Sequence, residues 1–287
     1  MAMKDSVAVL GGDLRQVYLA RLFHADGWKT MTWGLEKAKA PFGVSLDQAL
    51  GAGIIVLPLP VCRGDHLNLP LTDAQISCDV LWSGLRADQI ILGGVVSSIS
   101  YHLRSAYDLE IWDYYEREEV QVANAVPTAE GAIMRAMELS SSTLHGSKCL
   151  VIGYGRIGKV LAHRLRALGG EVTVSARKQS DLAWIEAYGY RPLHTESISG
   201  EIGGYDFIFN TVPALMLDRS CLERIKPGCI LLELASAPGG LDVDAVKEYG
   251  LQLVVERGLP GAVAPESAAR TIRDAIYHIL NEQGESV

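Results

Sequence analysis

The chain has 287 residues and a formal net charge of −8. That length suggests two domains and leaves ample residues for a sizeable core. Hydrophobic residues make up 48% and charged residues 21%, an ordinary globular composition with no Lys/Arg-rich run. Nucleic acid and anionic membranes are therefore excluded as expected partners. No stretch approaches the roughly 20 apolar residues of a membrane span. The start, Met1 to Ser6, lacks the apolar region of a secretory leader, so a cytoplasmic protein is expected. The five cysteines (Cys62, Cys78, Cys149, Cys221, Cys229) are odd in number and lack a C-x-x-C pair. They read as reduced, mostly buried thiols.

In chain order, Ser6–Gly12 is a strand ending in glycines, and Asp13 is the N-cap of a helix to Gly27. Strands follow at 29–33, 53–57, 89–94 and 109–112, separated by helical spacers. Residues 62–75 show no period and read as a loop past a strand's carboxyl end. Strands alternating with helices predict an open parallel sheet, so residues 1–123 form one α/β domain. Its first turn, Gly11-Gly12-Asp13, is not G-x-G-x-x-G and is assigned no dinucleotide. Pro127 fits the first turn of a helix over about 127–142 that bridges to a second domain, residues 124–287.

That second domain is organised around Lys148 to Gly158. A buried strand is followed by Gly153, Gly155 and Gly158, then by a helix with Ile157, Leu161, Leu165 and Leu168 on one face. Strand, glycine turn and helix in this order form the dinucleotide fingerprint in its required context. Gly153 permits the tight turn, Gly155 the approach of a pyrophosphate, and Gly158 close helix packing. Arg156 and Ile157 complete the cradle at a helix N-terminus that favours an anion. Further strands are expected at 171–175, 205–210, 229–233 and 251–256. An amphipathic helix over about 267–281 closes the chain and is expected to pack on the bridging helix. The fold class is thus α/β: two open, doubly wound, Rossmann-like parallel sheets facing across a cleft and linked by helices.

Ligands of such sheets bind at the strands' carboxyl ends. Thr211, Val212, Pro213, Ala235 and Ser236 are therefore expected under the cofactor, unless they are ordinary turns. Leu259 and Pro260, in the stiff Gly258–Pro265 loop, are expected beside the nicotinamide. The window after the second strand, Val174 to Lys178, holds no acid for a ribose 2′-OH. Ser175, Arg177 and Lys178 instead suit a 2′-phosphate, which predicts NADP with NAD as the alternative. On the N-terminal side of the cleft, Arg15, Gln16, Ser97, Ser98, Asn124 and Thr128 suit a carboxylate-bearing small molecule. The seven histidines show no metal-ligand spacing, and no metal is expected. There is no G-x-S-x-G. A 2-hydroxy-acid dehydrogenase would carry an Arg and a His where this chain has Ala235-Ser236 and Gly258–Gly261.

Several segments, in order, resemble the A subunit of dipicolinate synthase: Gly11–Gln16, Tyr115–Glu119 leading to Asn124–Ala132, Gly153–Gly158, and Gly258–Pro265. They span nearly the whole chain, and the Asn124–Ala132 and Gly258–Pro265 pieces are the specific ones. Leu14 and Ala262 depart from the family pattern, the second where a basic residue is usual. The resemblance implies oxidation, with loss of water, of dihydrodipicolinate or its hydrated form to dipicolinate. This is an NAD(P)-dependent reaction at a CH–CH bond. The implied partner is a flavoprotein-like B subunit, and the implied setting is the mother cell of a sporulating bacterium. A homo-oligomer is also expected. The proton acceptor is left open among water, Asp13 and Glu118. Two other readings stand beside this one: another NAD(P)-dependent oxidoreductase of a small dicarboxylate or amino acid, and a non-catalytic nucleotide-sensing subunit.

Overall fold

The computed structural model describes residues 6–284; residues 1–5, read above for a leader, lie outside them. The chain divides into two compact units, residues 1–124 with 264–287, and residues 125–263. The first contains β1 (Ser6–Leu10), α1 (Leu14–Ala25), β2 (Lys29–Trp33), α2 (Leu46–Leu50), β3 (Ile54–Val56) and the hairpin β4 (Cys62–Arg63) and β5 (His66–Leu67). It continues through α3 (Cys78–Gly84), β6 (Ile90–Gly93), α4 (Ser100–Tyr107), β7 (Ile111–Asp113) and the first turns of α5 (Glu118–Leu139). Its parallel sheet runs β2-β1-β3-β6-β7.

The second unit contains β8 (Lys148–Ile152), α6 (Arg156–Ala167), β9 (Glu171–Ala176), α7 (Gln179–Ala187), β10 (Arg191–His194), α8 (Ile198–Glu201) and β11 (Phe207–Asn210). It ends with α9 (Arg219–Leu222), β12 (Ile230–Glu233), α10 (Val243–Glu248), β13 (Gln252–Val255) and α11 (Leu259–Val263). Its parallel sheet runs β10-β9-β8-β11-β12-β13. Both sheets are open and doubly wound. Every residue of β1, β11 and β12 is buried. Helices on both faces produce this, and so these strands read as continuous apolar runs rather than alternating ones.

Four expectations are corrected. First, the bridging helix starts at Glu118, nine residues before Pro127, which lies inside it. Ala125, Ala129, Ala132 and Ala136 are buried at helical spacing. That face carries the helix through the proline, which lacks only one N–H donor. Second, the last helix, α12 (Pro265–Glu282), belongs to the first unit and packs on α1, not on the bridging helix. Ile272, Ile276, Ile279 and Leu280 are all at most 3% exposed. Their burial contributes on the order of 6–12 kcal/mol as an upper figure. The Trp28 indole donates to the Tyr277 hydroxyl at 3.1 Å, and that hydroxyl donates to Asp26 at 2.7 Å.

Third, residues 62–67 form the β4–β5 hairpin rather than a plain loop. Fourth, Cys62 and Cys78 are joined as a disulfide, with Cα atoms 7.0 Å apart. The hairpin brings them together: His66 bridges to Ser77, and the Cys78 amide donates to the Asp65 carbonyl at 2.8 Å. Cys149, Cys221 and Cys229 are free and buried, and burial pushes the Cys149 and Cys229 thiols up to about 12. Among the described residues no helix is long and apolar enough to cross a membrane.

Candidate functional site

In the second unit the strand order reverses between β8 and β11, and open sheets bind ligands at that point, outside the carboxyl ends. Gly153 takes φ +99°, a conformation that favours glycine. A Cβ on Gly158 would lie 2.1 Å from the Gly153 carbonyl oxygen, so α6 sits directly against the turn. Gly155 caps α6 with no side-chain hydrogen bond. Thr211 closes the turn from β11: its hydroxyl and its amide donate to the Ile152 carbonyl at 2.8 and 3.0 Å.

A cavity of ≈ 350 Å³ lies over this edge. Its walls include Gly153, Gly155, Ser175, Arg177, Lys178, Thr211, Val212 and Pro213, all expected at the cofactor. Ser175 is fully buried, and its hydroxyl has no hydrogen-bond partner within the protein. Arg177 and Lys178 are exposed. A glycine cradle, an uncapped helix start, an orphaned hydroxyl and two cations together fit a phosphate-bearing dinucleotide. The walls also include Tyr154, Asp181, Thr195, Ala214 and Met216, which the sequence reading missed. Asp181 lies in the first turn of α7, just past the window searched for an acid.

Arg156, Ile157 and Gly158 form the first turn of α6. Ala235 is buried and its amide donates to the Glu233 carboxylate at 2.9 Å, while Ser236 is exposed. Leu259 and Pro260 are not loop residues beside the cavity. They start α11, and Leu259 is 1% exposed in the core under β8, β11 and β12. A Cβ on Gly131 would lie 3.0 Å from the Leu259 side chain. Apolar burial against α5 therefore overrides the turn signal of two glycines and two prolines.

At the carboxyl edge of the first unit the order reverses between β1 and β3. The Arg15 guanidinium is not open to a ligand there. It donates to both Asp13 carboxylate oxygens at 2.8–3.2 Å and to the Leu59 carbonyl at 3.0 Å. Burial works against its charge, but Asp13, with Tyr114 and Tyr115, raises its pKa. Gln16 is fully buried, and its side-chain oxygen accepts from the Asp13 amide at 3.1 Å in a capping box. The Tyr114 hydroxyl, its pKa raised by burial, donates to the Leu57 carbonyl at 3.0 Å. Asn68 covers the turn from above: its carbonyl accepts from the Gly12 amide at 2.8 Å. These residues form a packed floor.

Ser97 and Ser98 are exposed at the end of β6. They follow Val95, which holds φ +62°, a strained conformation for a β-branched residue. The Asp113 carboxylate holds this loop, accepting from the Val95, Val96, Tyr115 and Glu116 amides at 2.7–3.3 Å. Asn124 and Thr128 lie four residues apart on α5, half-buried and buried respectively. Among the described residues no three His, Cys, Asp or Glu side chains come together as a metal site.

Two family models match successive parts of the chain. Residues 6–115 match the N-terminal domain of the dipicolinate synthase A subunit. Residues 117–244 match the NAD-binding domain of D-isomer-specific 2-hydroxyacid dehydrogenases. The dipicolinate synthase A subunit of Bacillus subtilis (strain 168) is 28% identical over 285 residues, 96% of either chain. Among solved structures, the A subunit of dipicolinate synthase from Bacillus halodurans superposes with a TM-score of 0.88 at 26% identity, covering 98% of this chain and 99% of that one. The corresponding polypeptide of the Bacillus subtilis synthase superposes at 0.85 with 27% identity, covering 100% and 99%. The second unit is thus a nicotinamide-dinucleotide-binding domain of the dehydrogenase kind. Over its whole length, with both units in the same order, the chain is a relative of the dipicolinate synthase A subunit.

Proposed function

We propose that the chain oxidises dihydrodipicolinate, or its hydrated form, to dipicolinate with NADP. We also propose that it works beside a B subunit in the mother cell of a sporulating bacterium. The observation that carries the dehydrogenase reading is the glycine cradle and uncapped start of α6 opening on the ≈ 350 Å³ cavity. The relatives that share both units are dipicolinate synthase A subunits, and their name supports dipicolinate as the product. When bound, the nicotinamide would accept a hydride from a ring carbon of the substrate. The chain's own share is positioning: Gly153 and Gly155 admit the pyrophosphate, and Ser175, Arg177 and Lys178 hold the 2′-phosphate.

Ser97 and Ser98, past β6, and Asn124 and Thr128, on α5, are assigned to the substrate carboxylates. Arg15 and Gln16 are assigned to the floor beneath, where Arg15 anchors Asp13. The Asp13 side chain is 35% exposed and is a carboxylate at this edge available to a ring proton. A homo-oligomer remains part of the reading.

Arg177→Ala tests the coenzyme. Losing one charge-assisted contact of about 1.5–3 kcal/mol weakens NADP(H) binding by roughly 10- to 100-fold. NAD(H) binding, measured in the same titration, stays within about twofold. Unchanged NADP(H) affinity contradicts the assignment. Asp181, on the cavity wall, favours NAD as the second reading, because its carboxylate is the group that accepts from a ribose 2′-OH. Loss of NAD(H) affinity in Asp181→Asn, with Arg177→Ala silent, supports that reading instead.

A further inference from the structure

Asn210 and Glu233 are the last residues of β11 and β12 and stand opposite each other in the register. Both are buried, 1% and 3% exposed. The Asn210 side-chain amide donates to both Glu233 carboxylate oxygens, at 2.9 and 3.1 Å. Each side chain also holds the backbone of the loop that follows its own strand. Asn210 accepts from the Val212 amide at 3.2 Å and donates to the Val212 carbonyl at 3.0 Å. Glu233 accepts from the Ala235 amide at 2.9 Å and from the Gly240 amide at 2.7 Å. Gly240 in turn accepts from the Met216 and Leu217 amides at 2.8 and 3.0 Å.

The pair therefore ties two loops, 211–216 and 234–240, into one body. A carboxylate this buried needs donors on both oxygens, and four contacts from three groups supply them. The Gly240 position is also tight: a Cβ there would lie 2.4 Å from the Asn210 amide nitrogen and 2.7 Å from the Val212 and Ala214 carbonyls. In this strand order, β8–β10 form the adenosine half of a dinucleotide site and β11–β13 the nicotinamide half. Thr211, Val212, Pro213, Ala214 and Met216 of the first loop line the cavity.

We propose that Glu233, acting through Asn210, is the positioning residue that fixes the nicotinamide half of the coenzyme site. It touches no coenzyme itself. It sets the two loops that do, which places specificity for the reactive end of the coenzyme in a buried carboxylate. The proposal rests on the dinucleotide reading above.

The test replaces Glu233 by Gln, which keeps the shape but turns one acceptor into a donor facing a backbone N–H. NADP⁺ and 2′,5′-ADP, which lacks the nicotinamide half, are titrated calorimetrically into wild type and variant, with NAD⁺ and AMP as the second pair. The expected result is a loss of about tenfold or more for the whole coenzyme, with the adenosine fragment within about twofold. Gly240→Ala presses on the same junction from the loop side and is expected to give the same split. It serves as the readout if Glu233→Gln does not fold. Equal affinities in variant and wild type for both ligands overturn the proposal. So does a parallel loss of both, which marks a general loss of fold. A wild-type chain that binds neither coenzyme defeats the dinucleotide reading itself, an outcome distinct from these.

Discussion

Arg15→Met is expected to unfold about 6–12 °C below wild type. The side chain is 7% exposed, and it satisfies Asp13 and the Leu59 carbonyl together. Removing one partner of a buried ion pair costs about 3–5 kcal/mol because the other is left uncompensated. The lower figure applies here, since water reaches the Asp13 side chain, 35% exposed. About 3 kcal/mol at 2–4 °C per kcal/mol gives the quoted shift. Asp13→Asn in the same background recovers part of it: the stranded charge is removed and Asn still caps α1. Thermal unfolding of wild type and the two variants checks this. A normal melting temperature with a raised KM for substrate would instead make Arg15 a ligand and the packed floor incidental.

Gly158→Ala is expected to cost roughly 100-fold in dinucleotide affinity. Its Cβ would lie 2.1 Å from the Gly153 oxygen and 3.0 Å from the Gly153 carbonyl carbon, and neither atom belongs to a side chain that can swing away. The start of α6 must then move off the turn. Overpacking of this kind costs about 1–3 kcal/mol. A displaced helix start instead forfeits up to about 2 kcal/mol of its interaction with an anion. The two are alternatives, and coenzyme binding that draws the helix start back against the upper end of that strain reaches the two decades quoted. Fluorescence titration with NADPH measures the effect. Affinity within about threefold of wild type would mean that the coenzyme does not use this cradle.

The sheets were legible because their strands are buried on both faces and spell apolar runs, as in Phe207-Ile-Phe-Asn210. The edge strand β10, Arg191-Pro-Leu-His194, escaped notice: it is half exposed and holds a proline that only an edge tolerates. The amphipathic face of α12 announced burial but not its partner, which is α1. Periodicity carries no information about which surface receives a face. Gly153, Gly155, Ser175, Arg177 and Lys178, grouped by spacing alone, line one cavity in the structure.

What spacing could not reach depends on contacts distant in the chain. Arg15 looked open until Leu59 and Asp13 enclosed it. Leu259 looked like loop until the core cluster claimed it. Asp181 faces the cavity only because α7 begins at Gln179. Glu233 ends an apolar strand, and only the fold shows that it joins two loops.

The most direct test supplies the purified protein with NADP⁺ and freshly generated dihydrodipicolinate precursor. It follows reduced nicotinamide and dipicolinate by absorbance, with and without a B subunit. The account predicts that both products rise together in equal amounts in at least one arm. Coenzyme binding with neither product in either arm would contradict it, and would make this protein a nucleotide-binding subunit or an oxidoreductase of another substrate.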